Sequence, residues 1–247
     1  KYATIVYDLD RSCVLWVGKG KGRETIDRFF NEQLSQYQKQ RIKWASCDMS
    51  EAYMGALKHH CPNAKLVLDR FHIVKAINGA VDDVRKEQWR QATAGDRKVL
   101  KGLRWLLFKR SINRSREDSA TLKALQKGNR RIYRAWFLKD EFEHFWDFQA
   151  PWAAERFLKR WTTSALRTRL EPMKKLARTL RKYSTEIISF VHTRLTNAVG
   201  EGLNRIIKIV KNRASGFRNL ESFTDIIFLT VGDLDLPAQI PAKFRAI

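Results

Sequence analysis

Hydrophobic and polar positions change rhythm twice along this chain. Residues 2–7 (Tyr-Ala-Thr-Ile-Val-Tyr) are rich in β-branched and aromatic side chains, and Asp8, Asp10 and Ser12 supply turn chemistry behind them. Residues 13–17 (Cys-Val-Leu-Trp-Val) run back, so the pattern predicts a β-hairpin interrupted at Gly18, Gly20 and Gly22. Ile26, Phe29, Phe30 and Leu34 then recur at helical spacing, which predicts a helix from about Glu24. Residues 42–47 form a short strand ending at Asp48. Ser50 is placed to cap a helix over residues 51–60, and Cys61-Pro62-Asn63 stops it. Residues 65–68 are the next strand, ending at Asp69, and a helix follows from about Phe71 with Val74, Ile77 and Val81 inward. Strands alternating with helices over residues 1–80 predict an α/β sheet domain.

From residue 81 to 195 the strand rhythm is gone. Residues 103–108, 122–125, 132–148, 152–170 and 173–190 all carry helical spacing, which predicts a helical insertion. The last section opens with Thr196 or Asn197 as a helix cap. Its helix runs to about Arg213 with Leu203, Ile206, Ile207 and Val210 on the buried side, and Gly216 ends it. Glu201, Arg205, Lys208 and Lys211 or Asn212 follow at spacings of three or four and share the other face. Residues 217–229 read as another buried helix before a Pro-containing tail. The expected organisation is residues 1–80, an insertion over 81–195, closing helices over 196–231, and a tail over 232–247.

Composition adds a partner to this outline. The 247 residues carry 48 Lys plus Arg against 26 Asp plus Glu, a net charge of +22. Such self-repulsion is kept where a polyanion neutralises it. The surplus is uneven: residues 81–195 hold 28 basic against 13 acidic side chains, while residues 1–80 hold 13 against 8. The main polyanion surface therefore falls in the insertion. Six of the eight tryptophans (Trp89, Trp105, Trp136, Trp146, Trp152 and Trp161) lie there too, and they read as packing anchors ahead of base-stacking platforms. A hydrophobic content of 44% excludes intrinsic disorder, and no apolar run approaches the roughly 18–20 residues that span a bilayer. Cys13, Cys47 and Cys61 are widely spaced and odd in number, which points to a reducing cytoplasm. His59-His60-Cys61 lacks a second ligand pair at zinc-finger spacing, so a structural or solvent-exposed role is expected there.

Candidate chemistry rests on carboxylates. Asp48 and Asp69 end consecutive strands, the edge where ligands gather in open α/β sheets, and suit a hard cation. Strand-end aspartates also cap helices and shape turns, so both roles stay open for Asp48. Glu201 stands at the start of a helix whose later turns are basic, which fits either catalysis or a solvated salt-bridged face.

Three blocks and a fourth, in order, narrow the choice. They are residues 47–53 (Cys-Asp-Met-Ser-Glu-Ala-Tyr), residues 69–75 (Asp-Arg-Phe-His-Ile-Val-Lys), residues 196–208 (Thr-Asn-Ala-Val-Gly-Glu-Gly-Leu-Asn-Arg-Ile-Ile-Lys) and Gly216-Phe217-Arg218-Asn219. Together they resemble the DDE transposases of bacterial insertion sequences, specifically the ISL-three family. The resemblance implies a ribonuclease H-like sheet interrupted by a large, mostly helical insertion and closed by a Glu-bearing helix. It implies that Asp48 and Glu201 are catalytic and hold Mg²⁺ (or Mn²⁺) with a further Asp, for in-line phosphoryl transfer on DNA. Asp69 and His72 match the D-x-x-H block and are implied to support the site. Asn204, Arg205, Lys208, Lys211 and Arg213 of the same helix are assigned to DNA. Double-stranded DNA (transposon ends and target) is the implied partner, a homodimer on DNA the implied working unit, with no membrane, in the bacterial cytoplasm at the nucleoid.

One departure accompanies the match. The family's first catalytic Asp belongs to a strand before the hairpin, whereas Asp8 and Asp10 fall at the hairpin turn, one strand too late. The expectation is an N-terminally truncated catalytic region, inactive alone. A non-catalytic DNA-binding remnant of a transposase is the alternative.

Overall fold

The run of β-branched residues does fold back on itself. In the computed structural model, which describes residues 2–195, 198–217 and 219–234, β1 (Ala3–Asp8) pairs antiparallel with β2 (Cys13–Lys19). The Asp8 carboxylate accepts the N–H groups of Asp10 and Arg11, and Ser12 takes positive φ (56°), so Asp8 shapes the turn. Val6 faces Trp16 and Tyr7 faces Val14, which leaves Leu15 as one extra residue in β2. This bulge changes the side-chain parity. Val14 and Val17, three apart, now share a face with Ile5 and Tyr7, while Trp16 and Val6 take the opposite face. Gly18 permits the Trp16 ring to lie close, since a Cβ there would stand 1.9 Å from it.

Each face of the hairpin is covered. On the Trp16 side lie α1 (Arg23–Gln33), burying Ile26, Phe29 and Phe30, and α3 (Glu51–His60), burying Met54 and Ala56. Between them come α2 (Gln36–Arg41) and the short strand β3 (Trp44–Cys47). The helix α2 has no counterpart in the apolar rhythm; a capping box formed by Ser35 and Gln38 starts it. On the Val14 side lie α11 (Ala198–Arg213), through Ile207, and α12 (Leu220–Val231), through Ile227. These elements form one compact unit, made of the described residues up to Ala64 and from 198 onward.

The second unit, from Lys65 to Leu195, is helical apart from β4 (Lys65–Leu68), whose Leu66, Val67 and Leu68 are buried and which neighbours α10 (Ser184–Thr193). Its spine is α4 (Arg70–Gln91), longer than the apolar rhythm alone predicts, so residue 80 lies inside a continuous helix. Then follow α5 (Ala94–Phe108), α6 (Arg116–Gly128), α7 (Arg130–Glu143), α8 (Pro151–Leu166) and α9 (Glu171–Lys182). Tyr183 separates α9 from α10 where the spacing predicts one helix. The core is aromatic: Phe142, Phe145, Trp146, Phe157 and Trp161 meet mostly edge to face, with centroids 4.9–6.3 Å apart, and Phe190 of α10 adds to Trp146 at 5.2 Å. Asp82 ties α4 to itself and to α5: it receives Arg85 and Lys86, and Arg85 reaches the Leu100 carbonyl.

The fold is thus α/β with helix predominating and small sheet elements. Three details differ from the apolar rhythm. Trp136, Trp146 and Trp161 are buried anchors, but Trp89, Trp105 and Trp152 are exposed. Ile206 is exposed because it lies about a quarter turn from the centre of the Gly200, Leu203 and Ile207 stripe. In α12 only Ile227 is fully buried, and Leu229 is exposed. Thr196 and Asn197, Arg218 and the tail beyond 234 lie outside the described residues.

Candidate functional site

Asp48 follows β3 directly. Its Oδ1 accepts the Ser50 N–H at 3.0 Å, and the residue stays half-buried. Ser50 is the N-cap of α3, yet its own side chain makes no capping bond, so Asp48 is the group that orders this strand-to-helix turn. That is the local reason β3 stops and α3 starts where they do. Glu201 stands in the first turn of α11, exposed, with no hydrogen bond or ion pair among the described residues. Both carboxylates belong to the hairpin unit.

The helix α11 is seated by contacts far apart in sequence. Ile207 packs with Val14 and Ile227, and the Tyr7 hydroxyl donates to Asn204 Oδ1 at 2.6 Å. Burial pushes the Tyr7 phenol well above its ordinary value, so Tyr7 is the donor at any physiological pH. Asn204 is therefore exposed but held. Arg205, Lys208, Lys211 and Arg213 are exposed, with no carboxylate partner among the described residues, and they present unneutralised charge along the helix.

Asp69 is the N-cap of α4 and is buried; its Oδ1 accepts the Phe71 N–H at 3.0 Å. The buried Oδ2 has no hydrogen-bond partner, and His72 Nε2 lies 3.8 Å from it, one turn along the helix. Asp69 and His72 are thus brought together, in the helical unit. Beside them lies a cluster that the sequence motifs do not reveal. The half-buried Arg70 guanidinium stacks on Trp146 at 4.9 Å, and burial, followed by the neighbouring Arg110, lowers its pKa. Arg194, in left-handed conformation after α10, donates to the Trp146 and Phe148 carbonyls. An aromatic ring in the stretch between α7 and α8 and two arginines from helix ends leave no motif-like trace in sequence.

Histidine and cysteine of the 59–61 stretch serve packing. His60 Nε2 meets Asp27 Oδ1 at 2.8 Å, linking α3 to α1, and its ring stacks on Phe30 at 4.8 Å. Cys61 is buried, and burial pushes its thiol up to about 11. Since the thiolate is the reactive form, Cys61 is expected to resist alkylation at neutral pH while the half-buried Cys47 reacts first. Mass spectrometry after a timed iodoacetamide treatment reads this directly; equal labelling of both would contradict it.

Asp48 and Glu201 offer oxygen donors, the chemistry that Mg²⁺ or Mn²⁺ accepts. Among the described residues, however, no group of three or more His, Cys, Asp or Glu side chains is placed to hold a metal ion. The donor type fits; the donor number among these residues falls short of a complete site. Nor is any described helix long and apolar enough to cross a membrane.

Comparison with known proteins bears on these residues. No solved structure matches the chain. It is 34% identical over 226 residues to the transposase for insertion sequence element IS1001 of Bordetella parapertussis, covering 90% of this chain and 55% of that protein. It is 25% identical over 254 residues to the transposase for insertion sequence element IS1557 of Mycobacterium tuberculosis, covering 94% and 57%. The chain spans about half the length of the curated relatives it matches. A family model described as a transposase, of the DDE type, matches residues 1–227, a span that takes in Asp48, the Asp69–His72 pair and Glu201 alike. With the match reaching from the hairpin through α11 and into α12, the chain belongs to the ISL-three family of transposases.

Proposed function

We propose that this chain is the catalytic region of a transposase that cleaves and joins insertion-sequence DNA ends by metal-dependent phosphoryl transfer. Its hairpin unit is read as part of a ribonuclease H-like core, residues 81–195 as the helical insertion, and α11 as the closing helix. The observation that carries this reading is the family match over residues 1–227, within which Asp48 and Glu201 fall in one compact unit. Asp48 and Glu201 would hold Mg²⁺ or Mn²⁺, with at least one further oxygen donor. Bound there, the ion would supply Lewis-acid stabilisation of charge on the transferring phosphate and a more acidic attacking hydroxyl. The chain's own residues bind and orient DNA. Asn204, held by Tyr7, and Arg205, Lys208, Lys211 and Arg213 meet phosphates. Asp69 and His72, at the start of α4, are read as supporting residues. Transposon ends and target DNA are the substrates, and a homodimer on DNA in the bacterial nucleoid is the working form.

A second reading, a DNA-binding remnant without catalysis, is supported by the short donor count among the described residues. Both readings require phosphate binding. Titration of duplex DNA against the chain at rising salt is expected to give log K falling against log salt with a slope of about −5 to −9, as roughly 6–10 phosphate contacts demand. A slope near zero would refute a DNA-binding role of either kind. Metal-dependent nicking of transposon ends by the complete reading frame that carries this sequence, lost on Glu201→Gln, separates the two.

A further inference from the structure

The exposed tryptophans divide by surroundings, and Trp152 stands apart. It is 70% exposed in the first turn of α8, whose buried face is formed by Ala154, Phe157, Leu158, Trp161 and Ala165. The opposite side of the helix borders an open groove of about 580 Å³. Phe148 and Trp152 form its apolar wall, with Phe157 behind them at the margin of the buried face, and Arg156, Lys159, Arg160 and Arg167 form its cationic edge; among the described residues no acidic side chain lines it. Phe148 and Phe157 are in ring contact at 5.4 Å, so this wall is packed aromatic surface. Arg160 is shared with Glu141 at 3.1 Å, but Arg156, Lys159 and Arg167 have no carboxylate partner among the described residues. Trp152, Arg156, Lys159, Thr163 and Arg167 recur at spacings of three or four and so run along one side of the helix, over roughly 22 Å at 1.5 Å per residue.

A large exposed indole has no packing role here, and a row of unpaired cations beside it needs an anionic occupant. Flat π-surface flanked by a row of cations is the composition that binds unstacked nucleotides, because stacking tolerates any base while the cations follow the backbone. An acidic peptide would satisfy the cations and leave the indole unused. We infer that the α8 groove holds a single-stranded or unpaired stretch of DNA, with Trp152 stacking on a base and Arg156, Lys159 and Arg167 on the adjoining phosphates. This rests on the DNA-binding reading above and adds a subsite for unpaired nucleotides outside the carboxylate region.

The test is fluorescence anisotropy of the full chain with a blunt duplex, the same duplex carrying an unpaired overhang, and the single strand. Wild type is expected to favour the overhang over the blunt duplex by roughly 5- to 150-fold, the span of one base–aromatic stack. Trp152→Ala should abolish that preference, and Trp152→Phe should retain most of it. Arg156→Ala with Arg167→Ala should weaken the overhanging duplex and the single strand more than the blunt duplex, and lower the salt slope of those two by about 1.4, at about 0.7 per single-strand phosphate contact. Trp152 is exposed, so an unchanged melting curve for both Trp152 variants is expected. Equal affinity for blunt and overhanging duplex, or a preference that survives in Trp152→Ala, overturns the subsite while leaving duplex binding standing. Absence of any DNA binding overturns both readings. Displacement of the overhang by polyglutamate of equal charge would make the groove a site for acidic protein instead.

Discussion

Asp48→Asn and Glu201→Gln, each introduced into the complete reading frame that carries this sequence, are expected to abolish strand cleavage and leave DNA binding and folding intact. If a carboxylate that holds the catalytic ion supplies several kcal/mol of transition-state stabilisation, its loss lowers the rate by on the order of 10³-fold or more, at about 1.4 kcal/mol per tenfold. Folding should not change, for reasons that differ between the two positions. Glu201 is exposed and engages nothing among the described residues, so Glu201→Gln should shift stability by less than about 0.5 kcal/mol. Removing its charge from a helix bearing Arg205, Lys208 and Lys211 leaves phosphate binding equal or slightly tighter. Asp48 does engage something: its Oδ1 receives the Ser50 N–H at 3.0 Å. Asparagine keeps an oxygen acceptor for that bond and discards only the negative charge, whereas alanine discards both. Asp48→Asn therefore separates chemistry from turn formation, and Asp48→Ala adds a cost of about 0.5–2 kcal/mol from the lost acceptor. Excision assays with thermal melts decide the matter. Normal cleavage by Asp48→Asn beside a destabilised Asp48→Ala would make the residue a turn former and nothing more.

The elements around these residues were largely legible because local chemistry dictates them. Strands ending at Cys47 and Leu68, the helix from Glu51 to His60 and the hairpin all follow from β-branched runs, turn residues and caps. The helix α2 leaves no trace in the apolar rhythm because its sequence is polar almost throughout; only the Ser35 and Gln38 capping pair marks it. The bulge at Leu15 carries no sequence mark, yet it decides which of Val14 and Trp16 faces α11. Contacts such as Tyr7 with Asn204, 197 positions apart, depend on how the chain closes and have no periodic signature. The tryptophans show a signal present but unused. Residues 154, 157, 158, 161 and 165 make one apolar stripe, with Trp161 on it and Trp152 off it, so register alone distinguishes an anchor from a surface residue.

That register gives the second large effect: Trp161→Ala is expected to destabilise the helical unit by about 3–5 kcal/mol, the usual cost of emptying a buried tryptophan site. Trp161 is fully buried, its ring meets Phe142 edge to face at 4.9 Å, and its indole N–H donates to the Leu138 carbonyl at 2.8 Å. Alanine leaves a cavity between α7 and α8 and also strips the Leu138 carbonyl of its side-chain donor. Trp161→Phe refills much of the volume and loses the donor, so it should cost about 1–3 kcal/mol, and the difference between the two variants isolates packing from the hydrogen bond. Against a total stability of about 5–15 kcal/mol for a domain, the alanine variant loses a large fraction of its margin. Urea denaturation followed by far-UV ellipticity measures it, since removing a tryptophan complicates fluorescence. Trp152→Ala, nine positions earlier in the same helix, should denature as wild type does. If Trp161→Ala stays within about 1 kcal/mol of wild type, the aromatic cluster is not what holds α7 to α8. If both variants behave as expected, the same residue type in one helix anchors the core at one position and not at the other, and only the register of the apolar stripe tells them apart.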